Sequence, residues 1–132
     1  MVGIVIVSHS KKVAEGIKDL AMQMVGPEQK IICAGGMEDG GIGTDAVRIC
    51  DAIQSADSGQ GVVVLVDLGS AVISSNLALE LLQENGIDTQ VTLADAPILE
   101  GAISAAVQAF IGGSMKEVVE AAELAREVLK LL

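Results

Sequence analysis

Val62-Val63-Val64-Leu65-Val66 is apolar at every position and runs straight into Asp67-Leu68-Gly69-Ser70. A strand that is apolar on both alternating faces must be covered on both, so this one belongs in the middle of a parallel sheet between two helical layers. Similar runs at 4–7, 30–34 and 89–94 flank it. With 62–67 as the third, the four predicted strands alternate with helical patterns at 11–25, 45–55, 70–84, 98–111 and 115–131. That alternation implies right-handed βαβ units. The expected architecture is α/β: a doubly wound, flavodoxin-like three-layer sandwich on a four-stranded parallel sheet of order 2-1-3-4.

The helical patterns differ in kind. In 45–55, Ala46, Ile49, Cys50 and Ile53 share a face, while Arg48, Asp51 and Gln54 lie elsewhere. The last helix opens on Ser114-Met115-Lys116-Glu117, the spacing of a capping box. Its expected apolar side carries Val118, Ala122, Ala125 and Leu129. The helix from Ser70 is apolar almost all round, through Ala71, Val72, Ile73, Leu77, Ala78, Leu79, Leu81 and Leu82. One of its faces should meet the sheet and another a neighbouring subunit.

The chain has 132 residues, a length that suits a single domain over 1–132. Its only aromatic residue is Phe110, so aliphatic side chains must build the core. A formal charge of −10 with no basic run argues against nucleic acid. The first apolar stretch is too short to span a membrane and lacks a secretory leader pattern, which places the expected protein in the cytoplasm. Cys33 and Cys50 form no C-x-x-C and have no partners for a zinc site; they read as buried, reduced thiols, and no metal or cofactor is expected.

The lone histidine, His9, follows the first strand in Ile4-Val5-Ile6-Val7-Ser8-His9-Ser10. In the order 2-1-3-4 the chain leaves strands one and three in opposite directions, opening a crevice at their carboxyl ends. His9 and Asp67 then face each other across it. A carboxylate on one ring nitrogen would select the tautomer that leaves the other nitrogen nucleophilic, a role that can coexist with Asp67 capping the following helix. Ser10 on one side and Gly69-Ser70 on the other begin helices, whose N–H groups and dipoles suit a phosphoryl group. Strand two runs into Gly35-Gly36-Met37-Glu38-Asp39-Gly40-Gly41-Ile42-Gly43-Thr44-Asp45, with five glycines in nine residues. A loop of that composition is expected to be open and flexible, suited to docking a partner or closing over a ligand, with Thr44 or Asp45 capping the next helix.

Three motifs together carry a family resemblance: Ile4 to Ser10, Gly35-Gly36 with Gly43-Thr44-Asp45, and Val66-Asp67-Leu68-Gly69-Ser70-Ala71. Over its whole length the chain resembles the mannose-type IIA superfamily of the bacterial phosphotransferase system. Asp-Leu-Gly-Ser-Ala leans toward the branch of phosphotransferase subunits of phosphoenolpyruvate-dependent dihydroxyacetone kinases.

The resemblance implies that His9 takes a phosphoryl group from the histidine-containing phosphocarrier protein, with Asp67 supporting it. The group then goes to ADP on the kinase's nucleotide-binding subunit, while a third subunit holds dihydroxyacetone. It also implies a homodimer. Ser10, Gly69, Ser70, Gly35 and Gly36 are the expected contacts to phosphate or partner. The alternatives are a IIA component of a mannose-type sugar transporter, and a regulatory or structural dimer in which His9 is only a loop residue.

Overall fold

The computed structural model describes residues 1–131; Leu132, the last residue of the expected domain, lies outside them. Four parallel strands, β1 (Gly3–Ser8), β2 (Ile31–Gly35), β3 (Val62–Val66) and β4 (Val91–Leu93), form one sheet in the order β2-β1-β3-β4. Helices α1 (Lys11–Met22), α4 (Ile98–Phe110) and α5 (Met115–Leu124) cover one face, and α2 (Ala46–Ala56) and α3 (Gly69–Glu84) the other. This is the doubly wound three-layer arrangement that the strand pattern implies.

Alternation within β1 divides the core. Ile4 and Ile6 pack with Val63 and Leu65 under α1, α4 and α5, whereas Val5 and Val7 pack with Val62 and Val64 under α2 and α3. Small residues set the close approach of the first layer: Ala102, Ala105, Ala106 and Ala109 of α4 are fully buried. In the second layer α3 presents the stripe Ala71, Ser75, Ala78 and Leu82 inward. Leu79 and Leu81 are partly buried beside that stripe, while Val72, Ile73 and Leu77 stand exposed.

Several boundaries differ from the sequence reading. Helix α1 stops at Met22, where bonds from Gln23 N–H to Leu20 O and Met24 N–H to Ala21 O tighten its end into a turn. Strand β4 has three residues instead of the expected six over 89–94. The capping box at Ser114 and Glu117 forms in full, with both reciprocal bonds.

The far end of α5 is a correction: the helix ends at Leu124 and gives way to a 3-10 turn, Ala125–Glu127. Beyond it there is no sheet left to cover, and Leu129, expected on the apolar face, is 78% exposed. Among the described residues, no helix is long and apolar enough to cross a membrane.

Candidate functional site

Strands β1 and β3 pair in register up to Val7 and Val66, so one step further along the sheet Ser8 and His9 come alongside Asp67. There the chain turns from β1 into α1 on one face and from β3 into α3 on the other. The strand ends therefore part at the topological switch point, where open α/β sheets bind ligands.

Asp67 is the hub of this corner. Its Oδ2 accepts from the Ser8 hydroxyl and the His9 backbone N–H, both at 2.9 Å. Its Oδ1 faces His9 Nδ1 at 2.9 Å and accepts from Leu68 N–H at 2.7 Å. Burial pushes the carboxyl upward, but the bonds from the His9 backbone, the His9 ring, Ser8 and Leu68 together outweigh it and hold Asp67 below its ordinary value. An ionised carboxylate can only accept, so the proton of the neutral imidazole sits on Nδ1 and the lone pair on Nε2. That nitrogen lies 2.6 Å from Ser70 Oγ, in the first turn of α3. His9 and Asp67 keep 20% and 16% of their side-chain surface exposed.

The helix-capping role considered for Asp67 reduces to its bond with Leu68 N–H, because α3 starts at Gly69 with Leu68 as its N-cap and no side-chain cap. The positive end of α3 is thus open toward Nε2. Ser10 caps α1, its hydroxyl accepting from Val13 N–H at 3.3 Å. Gly69 and Ser70 are exposed at the corner.

Gly35 and Gly36 are different. Both are buried, so the expected phosphate or partner contact at these two residues is not supported by their position. A Cβ on Gly35 would come within 2.8 Å of Lys11 Cα and 2.9 Å of Ser10 O, so this glycine lets β2 lie against the start of α1. The exposed part of the loop is Met37 to Ile42.

Nor does that loop hang free. Gly36 N–H bonds to Ser8 O at 3.1 Å, Met37 N–H to Gly41 O at 2.9 Å and Gly43 N–H to His9 O at 2.9 Å. The last of these ties the loop to the histidine's own carbonyl. Asp45 caps α2, while Thr44 Oγ1 meets Ser74 Oγ at 2.6 Å instead of capping.

Two participants escape a reading of the sequence. Ser8, in sequence only a small residue beside the histidine, has no exposed surface and bonds to Asp67. Ser74 anchors the loop's far end through Thr44. The available signal for Ser8 was its parity with Ile4 and Ile6, which turns a polar side chain inward at the strand end.

Residues 3–122 match the family described as PTS system fructose IIA component. A Listeria innocua protein named as phosphoryl donor subunit DhaM of PEP-dependent dihydroxyacetone kinase 2 is 39% identical over 91% of this chain and 95% of its own length. The Escherichia coli K12 protein with the corresponding name is 42% identical over 99% of this chain, which spans only 29% of that longer relative. A crystal structure of a protein of unknown function superposes with a TM-score of 0.79 at 39% identity, covering 91% of each chain.

Proposed function

This chain belongs to the family of PTS system fructose IIA components, and on that premise we propose that it is a phosphoryl relay whose acceptor atom is His9 Nε2. The lone pair of Nε2 attacks the phosphorus of a phosphohistidine on the histidine-containing phosphocarrier protein. The donor's P–N bond breaks, and its electron pair returns to the donor imidazole. In the second half of the cycle a terminal phosphate oxygen of ADP, held by the nucleotide-binding subunit of a dihydroxyacetone kinase, attacks the same phosphorus and releases His9. A further subunit of that kinase binds dihydroxyacetone. This chain then needs no cofactor or metal of its own.

The observation that carries the reading is the clamping of Nδ1 on Asp67 while Nε2 faces the uncapped start of α3. Asp67 orients the ring and offsets the positive charge that grows on it as the new bond forms. The N–H groups of Gly69 and Ser70, with Ser10 across the crevice, suit the phosphoryl oxygens. The exposed loop from Met37 to Ile42 serves partner docking. Val72, Ile73 and Leu77 on the outer side of α3 give a homodimer an apolar face to bury. The relay acts as one domain, in the cytoplasm.

Incubation with labelled phosphoenolpyruvate, the general transfer enzyme and the phosphocarrier should place acid-labile phosphate on His9; a wild-type chain that takes no label overturns the reading. The family's description as a fructose IIA component favours a second recipient, the IIB domain of a sugar transporter. A chase of the labelled chain separates the two. Loss of label to ADP with the kinase subunit, but not to a IIB domain, is the result expected here.

A further inference from the structure

Ser8 has no exposed surface, yet its hydroxyl sits among the groups that serve the reaction. Its Oγ accepts from Ser10 N–H at 3.1 Å and donates to Asp67 Oδ2 at 2.9 Å. A backbone N–H can only donate, so the direction of this chain of bonds is determined. Ser10 N–H points to Ser8 Oγ, the Ser8 hydroxyl proton to Asp67, and the other carboxylate oxygen takes the proton on His9 Nδ1. Without the hydroxyl, Oδ2 would be held by the His9 backbone N–H alone.

We propose that Ser8 is a positioning residue for phosphoryl transfer, acting through Asp67 to keep His9 in the tautomer whose Nε2 is free. This rests on His9 being the phosphoryl acceptor. The loss of one bond to a charged group corresponds to roughly a tenfold change in the population of the competent arrangement, and so in rate. A hydroxyl that merely completed the entry into α1 would affect folding and leave the ring alone.

The chain's single histidine makes the test unambiguous, since every imidazole 15N signal belongs to His9. The Nδ1–H and Nε2–H populations are read by 15N NMR from about pH 5 to about pH 8, beside the rate of labelling from the phosphocarrier. Ser8→Ala should shift the ring toward Nε2–H and slow labelling roughly tenfold. Ser8→Thr, which restores a hydroxyl, should recover both, and Ser8→Ala should add no further loss on an Asp67→Asn background. Wild-type tautomer populations in Ser8→Ala overturn the inference. So does slower labelling with an unchanged tautomer.

Should Ser8→Ala not fold, Ser8→Cys keeps the volume with a weaker donor, and a wild-type tautomer there is equally fatal. A wild-type chain that takes no label while its tautomer still responds to Ser8→Ala would sink the phosphoryl reading alone.

Discussion

Two connections at the carboxyl end of the sheet are built by opposite means. The corner joining β1 and β3 is made by side chains: Ser8 bonds to Asp67, Asp67 to the His9 ring, and the ring to Ser70. The connection from β2 to α2 is tied to that corner by backbone, with Gly36 and Gly43 bonding to the carbonyls of Ser8 and His9. Chemistry needs particular atoms, so the first tolerates little change of residue type. Position needs only a path for the chain, so the second depends on where a Cβ can be omitted.

His9→Gln should break the comparison most completely, abolishing labelling while the chain keeps its folded far-UV circular dichroism spectrum. Asp67→Asn should slow transfer by roughly 10²–10⁴-fold, because an amide nitrogen presented to Nδ1 favours the wrong tautomer. An unchanged rate would reduce Asp67 to a support for the turn. On the backbone side, Gly35→Ala should cost about 1–3 kcal/mol of stability, since Lys11 Cα and Ser10 O are main-chain atoms that cannot rotate away. Labelling, once corrected for the folded fraction, should survive.

Acid should weaken the side-chain corner in particular. Asp67 is held below its ordinary value in the folded chain, so its contribution is fully present above the unfolded carboxylate pKa of about 3.9 and is lost as the pH falls through the folded value. Asp57, lowered mainly by the Gly59 N–H, adds to the same trend. Urea midpoints should therefore drop below about pH 4, and drop less in Asp67→Asn. The smallest effect is expected for Gly40→Ala. Its φ of +86° disfavours a side chain although the space is open, so the loss of stability should be about 1 kcal/mol, read from the urea midpoint.

Much of this was legible in the residues. The wholly apolar 62–66 stretch placed β3 centrally, and strand order then brought His9 and Asp67 together, because backbone topology alone decides that meeting. Ser8 was hidden because its role depends on which carboxylate oxygen lies within reach of an inward hydroxyl. The glycines of the β2–α2 loop suggested freedom, whereas Gly43 lets the backbone turn at a φ of +147° and reach the His9 carbonyl. The end of α5 is not legible for a different reason: the apolar period continues in sequence to Leu129, which has left the core and is exposed. Arg126 instead reaches back to the Asp95 carbonyl.

The clamp on Nδ1 also has a kinetic consequence. On the proposed relay, an imidazole tied on one edge by Asp67 cannot rotate to exchange its two nitrogens, so the phosphoryl group would arrive and depart along one line of approach. Giver and receiver must then occupy the same ground in turn. Steady-state rates should follow parallel-line, ping-pong behaviour, and an excess of either unloaded partner should inhibit the other competitively.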